Sequence, residues 1–130
     1  MIDLRQVSTQ ALAYLGDCVL EMRVREHLVE SGISSSGKLN VEALSFVRAG
    51  AQAEAMKKLL PLLSEEEAGY FRRGRNIGHS QTPKSASVSE YRTATGMEAL
   101  FGWLRLMNKN ERIDELFLAA YSHIINEDQN

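Results

Sequence analysis

Apolar residues recur every three or four positions along most of this chain, and no segment alternates apolar and polar residues cleanly over six. The first pattern lays a stripe along one side of a helix; the second would mark a half-buried strand. Leu12, Leu15, Val19 and Met22 begin the repeat. Ser8 or Thr9 caps a helix that runs to about Glu30, where Ser31-Gly32 ends it. The Ser- and Gly-rich run from Ile33 to Lys38 reads as a loop. Asn40 caps a stretch from Val41 to about Leu60, with a break at Gly50 and a stop at Pro61. Ser64-Glu65-Glu66-Glu67 is a capping box for a short helix to about Arg73. From Gly74 to Ser87 the periodicity disappears. Ser87 and Glu90 make a second capping box, opening a helix whose apolar positions include Ala94, Met97, Leu100, Phe101 and Leu104. Asn108 to Asn110 forms a turn, and a last helix runs from Glu111 to about Ile125. The pattern predicts an all-α architecture of six or seven helices.

A chain of 130 residues is one domain's worth, and no linker or internal repeat divides 1–130. The apolar runs are too short and too often broken by Asp, Arg or Gly to span a bilayer. The start, Met-Ile-Asp-Leu-Arg, lacks the basic and apolar regions of a secretory signal. Cys18 is the single cysteine, so an internal disulfide is excluded and a reducing, cytoplasmic setting is expected. It reads as a buried, inert thiol. His27, His79 and His123 match no metal spacing, and His27 and His123 read as surface helix residues. Trp103, Phe101, Tyr14 and Phe117 fall at helix-compatible apolar positions and read as core or interface.

Net charge is −2, which by itself does not point to nucleic acid. The charge is unevenly spread. Residues 71–92 hold Arg72, Arg73, Arg75, Lys84 and Arg92 against Glu90, a local excess of +4 that leaves −6 on the rest. A basic patch on an acidic body is a specific signal. Its basic side chains, hydroxyls and glycine-exposed amides suit phosphate groups, although arginines also favour helix C-termini for electrostatic reasons.

Two acids stand out. Asp17 has only apolar residues, Cys and Gly around it between Ala11 and Leu20, and Glu98 sits in an apolar helix between Gly96 and Gly102. A carboxylate in such surroundings needs a partner: a cap, a salt bridge (to Arg23, for example) or a cation. The glycines suggest close helix packing, and two such helices crossing would bring the acids together. A hard cation such as Mg²⁺ relieves the repulsion of two carboxylates. Glu21 lies one turn after Asp17 and either backs it or pairs with Arg25.

Taken together, these stretches resemble a known family. Leu15-Gly16-Asp17-Cys18-Val19-Leu20-Glu21 resembles the signature helix of the ribonuclease III catalytic domain, and Thr95-Gly96-Met97-Glu98-Ala99-Leu100-Phe101-Gly102 resembles its second acidic motif. The match is tightest with the short Mini-ribonuclease III branch, through the Ala-Tyr-Leu-Gly-Asp run, Arg73-Gly74-Arg75-Asn76 and Tyr91-Arg92-Thr93-Ala94-Thr95-Gly96. It covers about Leu12 to Ile125.

The resemblance implies a homodimeric catalytic domain that cuts double-stranded RNA with Mg²⁺, or Mn²⁺ in its place, leaving a 5′ phosphate and a 3′ hydroxyl. Asp17 and Glu98 would be both catalytic acids and metal ligands, and Tyr14 would help build the dimer interface. Arg72, Arg73, Arg75, Asn76, His79 and Lys84 would grip RNA, while Glu21 and Thr95 would stand behind the acids. The implied natural substrate is precursor 23S ribosomal RNA, with a ribosomal protein as a further partner and no membrane. Long members carry additional acids where this chain has Ala13 and Thr95, which puts a fully ligated two-metal site in question. They also append a domain that binds double-stranded RNA; the five residues after Ile125 leave no room for one. The missing acids keep a second reading open: a catalytically inactive member of the same fold that binds ribosomal RNA or a ribosomal protein and scaffolds assembly. A third, a helical adaptor without an RNA role, leaves the two acids and the basic segment unexplained.

Overall fold

The computed structural model describes residues 2–77 and 87–128. Among these the chain forms α1 (Thr9–Glu30), α2 (Ser36–Val47), α3 (Ala49–Leu59), α4 (Glu65–Arg75), α5 (Val88–Leu106) and α6 (Asn110–Asp128), with 3-10 turns at Leu4–Gln6 and Leu60–Leu62. The all-α expectation is borne out. No described helix is long and apolar enough to cross a membrane. His79 and Lys84 lie outside the described residues.

The centre of the domain is α5, and α1, α3, α4 and α6 pack around it. From Ala94 to Leu104 every residue of α5 is buried except Glu98. A helix apolar all round belongs inside a protein. Phe101, Trp103 and Leu104 join Leu20, Phe46, Met56, Leu59, Leu116 and Phe117 in one core, and each such side chain contributes about 1.5–3 kcal/mol by leaving water. Tyr14, by contrast, is 86% exposed.

The chain's own signals set most helix ends. Ser8 Oγ accepts from the Ala11 amide at 3.0 Å. Both capping boxes form: Ser64 with Glu67, and Ser87 with Glu90. At the end of α5, Asn108 takes a left-handed φ of 57° while Lys109 N–H reaches the Leu104 carbonyl at 2.9 Å, satisfying a carbonyl the helix would otherwise leave open.

Several boundaries differ from expectation. The second helix starts at Ser36, capped by Ser35, so Ser36, Gly37 and Lys38 are helical and Asn40 lies inside the helix. Three consecutive serines each offer a cap, and sequence alone does not choose among them. The break before α3 falls at Arg48 (φ −62°, ψ 146°). Gly50 serves a different purpose: a Cβ there would come within 2.9 Å of Glu90 Oε2. Gly74 and Arg75 extend α4. The last helix begins at Asn110 and kinks at Tyr121, whose hydroxyl donates to the Phe46 carbonyl at 2.9 Å.

The buried stripe of α1 also differs. Leu12, Gly16, Leu20, Val24 and Leu28 face the core, while Met22 is 58% exposed. Gly16 takes a core position that an apolar count passes over. Cys18 lies two residues past it, about 200° around the helix, and is therefore exposed rather than buried. His27 is half-buried against the Phe46 ring, with centroids 5.7 Å apart, because position 27 adjoins the Val24–Leu28 stripe.

One ion pair ties α4 to α6. Arg112 Nε donates to Glu67 Oε2 at 2.9 Å, and Arg112 Nη2 donates to Glu67 Oε1 at 2.9 Å and to the Leu62 carbonyl at 2.8 Å. Glu67 is 5% exposed, and its hydrogen bonds from Arg112 hold its pKa below the usual carboxylate range. A lowered folded pKa contributes stability above the unfolded value and loses it as pH falls through the folded one. Arg112→Met is therefore expected to cost about 3 kcal/mol in urea denaturation at pH 7, since it leaves a buried charge without its partner. The cost should shrink markedly near pH 3, where the variant's Glu67 is neutral; a deficit independent of pH would mean that packing dominates.

Candidate active site

The crossing of α1 over α5 positions the two acids. A Cβ on Gly16 would stand 1.6 Å from the Glu98 carbonyl oxygen and 2.8 Å from the Gly102 nitrogen; a Cβ on Gly102 would stand 2.0 Å from the Leu12 carbonyl oxygen. The helices thus meet backbone to backbone at a glycine pair. Asp17 follows Gly16, and Glu98 lies one turn before Gly102, so the crossing places their carboxylates side by side. Asp17 is exposed, unlike the buried charge its neighbours suggested, because it projects away from the core stripe; Glu98 is half-buried.

The electrostatics report the pairing. Glu98 is pushed up to about 8, first by burial, then by the like charge of Asp17 and by hydrogen bonding with it. Neither acid forms an ion pair with a basic side chain among the described residues. Arg23 is committed elsewhere: its Nε lies 2.9 Å from Asp114, Nη1 lies 3.4 Å from Glu26, and its guanidinium sits 4.9 Å from the Phe117 ring centroid. Two carboxylates without a cationic partner form a donor set that Mg²⁺ accepts, because it needs only one or two protein carboxylates and fills its remaining positions with water and substrate oxygens. Among the described residues no group of three or more His, Cys, Asp or Glu gathers in a metal-binding arrangement.

Glu21 accepts from Arg25 at 2.8 Å along the outside of α1. Thr95 is buried and its hydroxyl donates to the Tyr91 carbonyl at 3.0 Å. Tyr14 and Met22 are exposed on α1, and Cys18 and Met22 border a groove of about 370 Å³ between α1 and the start of α6.

On an adjoining face of α5, α4 makes a second glycine crossing. A Cβ on Gly74 would meet the Gly96 Cα at 2.7 Å, and one on Gly96 would meet the Phe71 carbonyl oxygen at 2.7 Å. This crossing fixes the basic end of α4 beside α5. Arg72, Arg73, Arg75 and Asn76 are all exposed. Arg73 lies over Tyr70 and Arg75 over Phe71, at 4.9 and 5.6 Å from the ring centroids, which directs both side chains without neutralising them. The sequence reading counted Arg92 in the charge patch but not in the grip. Arg92 lines a cleft with Arg75, and the missed signal is that no acid stands three or four residues from it on its helix.

A helical domain with a carboxylate pair at a glycine crossing and a basic flank has the parts of a ribonuclease III catalytic domain. The family model described as Ribonuclease III domain matches residues 10–109. A Mini-ribonuclease 3 of Symbiobacterium thermophilum is 45% identical over 113 residues, covering 87% of each chain. One from Clostridium tetani is 37% identical over 115 residues, covering 88% of this chain and 76% of that one. A crystal structure of a protein from Fusobacterium nucleatum superposes with a TM-score of 0.88 at 28% identity, covering 98% of both chains. The chain belongs to the ribonuclease III family, within its Mini-ribonuclease III branch. That family consists of endoribonucleases acting on double-stranded RNA.

Proposed function

We propose that this chain is a Mg²⁺-dependent endoribonuclease that cuts double-stranded RNA in the cytoplasm and matures the ends of 23S ribosomal RNA from its precursor. The observation that carries the reading is the Asp17–Glu98 pair at the α1–α5 crossing, without a basic partner among the described residues. The ribosomal substrate is what the resemblance to the branch implies.

Asp17 and Glu98 would hold the ion, Asp17 from the exposed side and Glu98 from the helix surface. Bound there, Mg²⁺ (or Mn²⁺) supplies a Lewis acid for the scissile phosphodiester and makes water a better nucleophile. The products are a 5′ phosphate and a 3′ hydroxyl. The basic end of α4 would hold the duplex by its phosphates, since base edges in A-form RNA lie in a deep, narrow groove. His79 and Lys84 join this grip on the strength of the sequence alone. A homodimer seated on the exposed α1 face, with Tyr14 in the interface, would set one site against each strand.

A second reading, RNA binding without cutting, rests on Ala13 and Thr95, which stand where long members carry further acids. Incubation with a long, perfectly paired RNA separates the two. The enzyme cuts in Mg²⁺ and stops in excess chelator; duplex binding without cutting under either condition establishes the scaffold. Replacing Arg72, Arg73 and Arg75 with Gln should flatten the salt dependence of binding by roughly one log-log unit per lost phosphate contact. An unchanged slope would remove α4 from the grip.

A further inference from the structure

Arg75, Asn76, Val88, Ser89, Arg92 and Thr93 line a cleft of about 450 Å³ between the C-terminal end of α4 and the first turns of α5. Its chemistry is one-sided. Two guanidiniums, an amide and two hydroxyls face it, and no carboxylate lines it among the described residues. Arg92 is exposed and has no ion pair or hydrogen bond among the described residues. Its helical neighbours at three and four residues' distance are Val88, Ser89, Thr95 and Gly96, so its own helix supplies no acid. Glu90, the nearest acid in sequence, is turned away: Oε1 accepts from the Ser87 amide at 3.1 Å, and Oε2 faces Gly50. Among the described residues Arg75 has a single weak polar contact, to Asn76 Oδ1 at 3.4 Å, and rests on the Phe71 ring.

Two uncompensated arginines converging on one cleft form an anion clamp, because planar guanidiniums bind phosphate oxygens with paired, charge-assisted hydrogen bonds. The position is also informative. Arg92 precedes Glu98 by six residues on the same rigid helix, roughly 9 Å of rise. That separation places the clamp near the reacting site but off it.

We infer that Arg92 and Arg75 jointly hold a single backbone phosphate of the duplex, within a few nucleotides of the cut, and so position the scissile bond over the two acids. Asn76, Ser89 and Thr93 supply the uncharged donors of the same pocket. This rests on the endoribonuclease reading above, and it makes Arg92 a positioning residue rather than a catalytic one.

The test compares Arg92→Gln, Arg75→Gln and the double variant with the native protein, with Arg5→Gln as a distant control. Each single variant is expected to bind duplex RNA about tenfold more weakly, the size of one lost charge-assisted hydrogen bond, and to raise KM more than it lowers kcat. Because both arginines serve one phosphate, the double variant should lose about one log-log unit of salt slope, not two. A duplex bearing one uncharged methylphosphonate linkage, moved stepwise from the cut, should show a position that weakens native binding and leaves the double variant unaffected. Native-like binding by Arg92→Gln, a two-unit loss in the double variant, or no such position would overturn the clamp. A native protein that neither binds nor cuts duplex RNA would instead overturn the endoribonuclease reading, and the clamp with it.

Discussion

Glu98→Gln and Asp17→Asn are each expected to cut duplex RNA at less than about one-hundredth of the native rate, the usual loss when an electrostatic contributor to a transition state is removed. Binding of the same duplex in chelator should be nearly unchanged, because the proposed grip on phosphates sits on α4 and the start of α5. Cleavage retained above that level would remove the substituted acid from the mechanism. A second readout concerns the fold. Glu98 has a folded pKa of about 8 against an ordinary 4.5, so the folded state binds the extra proton between those values. Stability in chelator should therefore fall as pH rises from about 4.5 to 8. Glu98→Gln should flatten that slope and melt higher than the native protein at pH 9. A parallel pH profile for the two would show that the carboxylates do not crowd one another.

Gly16→Ala is expected to disrupt the fold. The added Cβ would fall 1.6 Å from the Glu98 carbonyl oxygen, where no side chain can move aside, and α1 would have to lift off α5. Overpacking against flexible side chains costs about 1–3 kcal/mol; against backbone the cost should exceed that range, and soluble expression should drop. Gly102→Ala meets the Leu12 carbonyl at 2.0 Å and should behave alike. Gly69→Ala, inside α4 and in ordinary contact with Arg72 at 3.9 Å, should instead gain up to about 1 kcal/mol from helix propensity. Thermal melts of the three variants check the contrast. A Gly16→Ala protein melting within a few degrees of native would mean that the helices separate easily.

Local chemistry made much of this fold legible. The capping boxes at Ser64 and Ser87 and the ends of α1 are written in side chains that bond to their own backbone. The start of α2 was not, since Ser34, Ser35 and Ser36 are locally equivalent. The core face of α1 was misread for a related reason. Apolar counting favours Met22 and Cys18, but the packed line runs through Gly16, which contributes no apolar area and matters only because a second helix lies on it. Asp17 and Glu98 stood out as lone carboxylates in apolar, glycine-bearing helices, yet their 81-residue separation held no information about distance. Arg92 was legible as part of the basic patch, but its place beside Arg75 was not, because a cleft between helices has no signature in sequence order.

The two glycine crossings on α5 tie the carboxylate pair to the basic end of α4, the proposed grip, through closely packed helices. At one crossing Gly16 and Gly102 set where Asp17 stands relative to Glu98; at the other Gly74 and Gly96 set where the arginines stand. At the first crossing the nearest atoms are all main chain; at the second the Ala99 methyl and the Phe71 ring stand as close as the backbone, 2.7 Å from the added Cβ. Trimming Leu20, Val24 or Leu116 should therefore lower the melting temperature and leave the cutting register intact for as long as the protein stays folded. On the proposed function, stability and aim are then separately adjustable at core positions away from Phe71 and Ala99.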